Sequence, residues 1–140
     1  MRIDLRYPAT PDNAPEHADL AVAAARSGFE HELDFSEASV DLVDAEVESL
    51  RDEGLTGEDV AEQLFVLGCY VGEVMVRLLG GRWVATLHSP LRGISPWPMV
   101  VALPSGATWD PIGKVYKRIE LGDSEYLPAY FAEAATSAGR

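Results

Sequence analysis

Five carboxylates recur at three- and four-residue steps between positions 37 and 52: Glu37, Asp41, Asp44, Glu48 and Asp52. On a helix this spacing places all five within about 80° of one another. Val40, Val43, Val47 and Leu50 then lie on the opposite side. Like charges four apart destabilise a helix by roughly 0.2–0.5 kcal/mol per pair. No lysine or arginine relieves the centre of the stripe, and Arg51 stands only at its margin. Such a stripe is open to three readings: a solvated face, a docking surface for a basic partner protein, or a divalent-metal site. The metal is disfavoured, because one straight helix does not converge its own carboxylates as a hard cation requires. Docking of a basic partner is the functional expectation beside the plain solvated face.

The opposite charge gathers in "KVYKR", where helical spacing puts Lys114, Lys117 and Arg118 on a shared face. Asp110, four residues before Lys114, can pair with it. This cluster can meet the acidic helices within the fold, or receive a phosphate or carboxylate from outside. The loop "SPLRGISPWP" carries Arg92 and Trp97, the latter between two prolines. A stiffened loop with a tryptophan is a contact element or folds its ring back over the core. The alternative function is therefore a small-molecule site for an anionic ligand, in a binding protein or an enzyme. Its walls would be the strands, the 89–98 loop and Trp97, Lys114, Lys117 and Arg118.

Catalytic patterns are thin. His17, His31 and His88 fall on separate elements, and neither HExxH, GxSxG, GxxxxGK[ST] nor GxGxxG occurs. Cys69 has no neighbour in sequence that would activate it. No catalytic residue, cofactor or metal is expected, and binding is favoured over catalysis. Glu73, in "GCYVGEVMVRLLGGRW", shares a narrow helical strip with Glu62, Val66, Cys69 and Arg77. It is predicted to be a surface or edge group paired with Arg77, the favourable order for an i, i+4 pair.

Bulk properties set the frame. A chain of 140 residues, 47% hydrophobic and 24% charged, suits one soluble globular domain over 1–140. One cysteine excludes an internal disulfide framework. The N-terminal stretch has no apolar core of signal-peptide length, and the run 64–72 is too short to span a bilayer. A cytoplasmic protein is expected. Net charge is −12, and residues 29–63 alone hold thirteen acids against one base, which is also −12. That field repels nucleic acid and anionic membranes and favours basic partners.

Around the charged groups, Ile3, Leu5 and Tyr7 alternate as in a short strand, followed by loop to about residue 12. A helix is predicted over 15–27, stopped by Gly28. Ser36 caps a helix over 37–53, with Phe35 able to staple onto Val40. Thr56 and Asp59 form a capping box for a helix to Leu79, ended by Gly80 and Gly81. Gly68 and Gly72 in that helix imply close approach of another element, in the same chain or across a dimer, since each costs about 1 kcal/mol relative to alanine. "RWVATLH" and "MVVALP" pair as antiparallel strands. Asp110 and Pro111 start a helix over 111–121, and a last helix covers roughly 124–136, with 134–140 a frayed tail. The fold class is α+β, about five helices on a small antiparallel sheet of two or three strands.

The stretches 68–83 and 109–131 resemble a class of small bacterial domains of unknown function. The shared features are a glycine-rich helix ending in a Gly-Gly-x-Trp turn, then a Pro-initiated Lys-Val-x-Lys-Arg helix and a final aromatic helix. The similarity spans roughly 33–131. It implies no activity and transfers no catalytic residue, and the acidic stripe is not part of it. Its broader setting includes immunity-type proteins, which neutralise a toxin by binding it.

Overall fold

The computed structural model describes residues 3–139. Five helices and three strands follow one another as α1 (Ala14–Gly28), α2 (Glu37–Asp52), α3 (Ala61–Leu79), β1 (Arg82–Ala85), β2 (Met99–Ala102), β3 (Thr108–Trp109), α4 (Pro111–Leu121) and α5 (Leu127–Ser137). The strands form one antiparallel sheet in the order β1-β2-β3, with Arg82 opposite Ala102 and Ala102 opposite Thr108. The α+β architecture is the one expected.

Local chemistry explains most boundaries. The Ser36 hydroxyl accepts from the Ser39 amide and starts α2. The Asp110 carboxylate accepts from the Gly113 amide, and Pro111 takes the first position of α4. Gly80 adopts a left-handed conformation, φ 71°, and ends α3.

The helix α3 is the centre of the molecule, with Leu64, Tyr70, Val71, Val74 and Met75 fully buried. Its two glycines admit neighbours from the same chain. A Cβ on Gly68 would lie 2.5 Å from the Ile112 Cα in α4, and one on Gly72 would lie 2.1 Å from the Trp83 ring. The α3–α4 and α3–β1 contacts therefore depend on missing side chains.

Four expectations change. Residues 3–7 form no strand; Ile3 and Leu5 pack on the core as irregular chain. Side chains hold the segment: the Asp4 amide donates to Glu62 (3.1 Å), His17 Nε2 bonds the Pro8 carbonyl (3.0 Å), and Tyr7 meets the His17 ring edge-on. The Thr56–Asp59 capping box forms, yet regular helix begins only at Ala61, because Val60 leaves helical geometry at φ −125° and ψ 35°. Phe35 sits at φ 64° and turns its ring onto α3, 4.8 Å from the Tyr70 ring and 3.5 Å below the Arg77 guanidinium. The C-terminal segment is helical through Ser137 with Ala134 buried, so the frayed tail does not begin at 134. Met1, Arg2 and Arg140, included in the predicted ends, lie outside the described residues. No described helix is long and apolar enough to cross a membrane.

Candidate functional site

The acidic stripe and the basic cluster meet each other. Glu37, Asp41 and Asp52 are exposed, Glu48 is half-buried and Asp44 is buried. Arg118 leaves the predicted basic face and turns inward to 1% exposure. Its Nε donates to Asp44 Oδ1 (2.9 Å), and its Nη2 reaches Asp44 (3.3 Å), Glu48 (2.6 Å) and Asp123 (3.3 Å). Asp44 Oδ1 also accepts from the Leu127 amide (3.0 Å), the first residue of α5. One carboxylate thus balances a buried cation and caps a helix. Burial opposes the Arg118 charge, but its hydrogen bonds to Asp44 and Glu48 outweigh it and raise its pKa. The middle of the stripe is internal structure.

Lys114 pairs with Glu125 rather than Asp110, and its ammonium lies 5.3 Å from the Tyr130 ring centre. Lys117 is exposed and makes no ion pair among the described residues. The three bases therefore do not act as one cluster. Glu73 is corrected in its exposure alone: it is buried and accepts from the Trp83 indole (2.9 Å), while the expected pair with Arg77 is present at 3.9 Å. A helical wheel cannot foresee a donor supplied by the following strand. Burial, then the Glu73 charge, raises the Cys69 thiol pKa far above its ordinary value and makes it inert.

Beside these groups an aromatic cleft of about 580 Å³ remains open, between the loop after β1, β3, α4 and α5. Trp97 stacks on Tyr116 at 4.2 Å, and Trp109 meets Tyr130 edge-on at 5.3 Å. Lys114, Lys117, Glu120 and Glu133 stand around these rings, and Ile94 lines the loop side at 74% exposure. Burial first, and nearby acids second, push both tyrosine phenols up: Glu62 acts on Tyr116 and Asp110 on Tyr130. Neither phenol is poised to ionise near neutrality.

The cleft is held by a polar relay. Asp110 takes the Gly113 amide on Oδ1 (2.9 Å) and the Ser95 hydroxyl on Oδ2 (2.7 Å). Ser95 in turn accepts the Trp97 amide (3.2 Å), and the Thr86 hydroxyl donates to the Trp97 carbonyl (2.6 Å). Trp97 is thus fixed from both sides of its backbone. Gly113 is required there, since a Cβ would lie 2.3 Å from Asp110 Oδ2.

Of the residues singled out from sequence, Trp97, Lys114 and Lys117 share this cleft, while Arg118 does not line it. Trp109, Tyr116 and Tyr130 were not expected as site residues. Their signal was the crowding of aromatic side chains around the one basic stretch. Glu37 and Asp41 frame a separate notch of about 360 Å³ with Pro128 and Phe131. Comparison with protein-family models, curated proteins and solved structures returns no match.

Proposed function

We propose that the protein is a bacterial, cytoplasmic ligand-binding protein. Its cleft takes a small molecule with a flat apolar body against Trp97 and Trp109 and a carboxylate toward Lys117. The observation that carries this reading is the preformed aromatic cleft of about 580 Å³, within the roughly 300–1,000 Å³ usual for small-molecule sites. The relay through Ser95 and Asp110 fixes the loop before any ligand arrives, which lowers the entropic cost of binding. Catalysis has less support, because the cleft tyrosines are driven away from ionisation and Asp110 is committed to its hydrogen bonds. The net charge of −12 counts against nucleic acid as the ligand.

The test is a two-dimensional NMR titration with 2-naphthoate and its uncharged counterpart 2-naphthol. Both should move the indole signals of Trp97 and Trp109, and Trp97→Ala should weaken both by about tenfold or more, the equivalent of ~1.4 kcal/mol. Lys117→Gln should weaken naphthoate alone. Equal affinity in wild type and Trp97→Ala would sink the proposal.

A second reading keeps the basic partner protein, on the strength of the notch between Glu37 and Asp41. A lysine or arginine stem would lie along Pro128 with its charge near the two carboxylates. An immunity-type or regulatory protein would use such a contact, and it would weaken with salt. Glu37→Gln with Asp41→Asn is the clean probe, because Asp44 and Glu48 also hold Arg118. A basic protein captured from lysate equally well by wild type and this double variant would not be using the notch.

A further inference from the structure

A second concavity lies on the face of the sheet turned away from α3. Trp83 points to Gly72 on the inner side, so strand alternation puts Arg82 and Val84 outward. The register aligns Arg82 with Ala102 and Thr108 across that outer face. His88, Ser89 and Pro90 from the loop after β1 and Pro104 from the β2–β3 turn complete a cavity of about 560 Å³. Its floor is apolar and its wall carries no aspartate or glutamate among the described residues. In a chain of net charge −12 that exclusion is informative. Arg26, Arg77 and Arg118 each stand against a carboxylate; Arg82, like Arg6, Arg51 and Arg92, makes no ion pair among the described residues, and of these four it is the one that lines the cavity.

We infer that this outer sheet face is a binding site for a small carboxylate with an apolar body, distinct from the aromatic cleft. The Arg82 guanidinium offers two parallel N–H groups of the geometry a carboxylate accepts. His88 and the Thr108 hydroxyl supply further polar contact, while Val84, Ala102 and Pro104 receive the hydrocarbon part. Gly80 brings the C-terminal end of α3 to the same cavity, and a helix C-terminus carries a partial charge of about −0.5. That opposes an anion, but the full charge of Arg82 exceeds it. The apolar floor selects a carboxylate with a tail over a bare phosphate, which would gain nothing from it.

The experiment is an NMR titration of the intact protein with hexanoate, acetate and inorganic phosphate in separate arms. Hexanoate should shift Arg82, Val84 and Ala102 together with one saturation curve and bind more tightly than acetate or phosphate. Arg82→Gln should weaken hexanoate by about tenfold or more, and Ala102→Phe, which fills the floor, should do the same. Arg92→Gln, an exposed change on the adjoining loop, should leave binding as it is. Retention of the Trp83 indole signal, which reports its bond to Glu73, verifies the fold of each variant. Unchanged hexanoate affinity in Arg82→Gln would overturn the inference. So would phosphate binding as tightly as hexanoate, or hexanoate shifts confined to Trp97 and Trp109.

Discussion

Two neighbouring regions treat their functional-looking residues in opposite ways. Around Arg118, charges from α2, α4 and the turn before α5 are spent on one another, and the Leu127 amide is satisfied by the same carboxylate. Around Trp97, its own backbone and the Ser95 and Asp110 side chains are hydrogen-bonded as well, but the aromatic faces they position are left open as a cleft. A conspicuous charge pattern is weak evidence for a partner until its internal counter-charges are known. A ring fixed by backbone hydrogen bonds at the edge of a cavity is better evidence, because it is held ready with no internal occupant.

The comparison is broken most forcefully at Arg118. Arg118→Met leaves Asp44 buried without its cation and should cost about 3–5 kcal/mol of stability, measured by urea unfolding. Asp44→Leu combined with Arg118→Met should cost less than the sum of the two single changes, because neither charge is then stranded. A smaller loss should follow from Gly68→Ala. Its Cβ would meet the Ile112 backbone at 2.5 Å, and overpacking of about 1–3 kcal/mol outweighs the ~1 kcal/mol gained in helix propensity. Because α4 is a wall of the cleft, this change should also perturb the Tyr116 ring signals.

Glu46 sharpens the comparison through pH. It is buried, with His31 Nδ1 3.4 Å away, and burial raises its pKa from the ordinary 4.5 to about 7. Below the ordinary value both folded and unfolded chains hold the proton, so no penalty exists. As pH rises from 4.5 through 7 the unfolded chain ionises first, and stability falls across that window before levelling. The drop should be about 3 kcal/mol and should vanish in Glu46→Gln, read from urea midpoints at about pH 4 and about pH 8. Smallest of all, Glu37→Gln and Asp41→Asn should each change stability by less than about 0.5 kcal/mol. The largest and the smallest effects would then meet at α2, whose Asp44 and Glu48 hold Arg118 while Glu37 and Asp41 on the same face stay exposed.

What was legible in the sequence was whatever is encoded locally. Ser36, Asp110, Pro111 and the Gly80–Gly81 pair act within one turn, and the elements they bound are those expected. Gly68 and Gly72 announced a close neighbour correctly, though only the fold identifies Ile112 and Trp83. The misreadings come from partners far along the chain. Ile3, Leu5 and Tyr7 alternate like a strand but have no strand beside them. Arg118 lies 74 residues from Asp44, and the buried Glu73 takes its hydrogen bond from the Trp83 indole of the following strand. The cleft was half legible: Trp97 and the lysines drew attention through their loop and their charge. Tyr116 and Tyr130 read as ordinary aromatic helix residues until α4 and α5 are folded together.

The double use of Asp44 has a consequence for the order in which the chain assembles. Its bonds to Arg118 and to the Leu127 amide span 74 and 83 residues, so neither can form until nearly the whole sequence is present. Contacts of such separation require large loops to close first and belong to the slow, late part of folding. Interactions absent from the transition state act on the rate of opening rather than of closing. Asp44 and Arg118 are therefore expected to act as a latch, with Arg118→Met speeding unfolding more than it slows refolding in stopped-flow measurements.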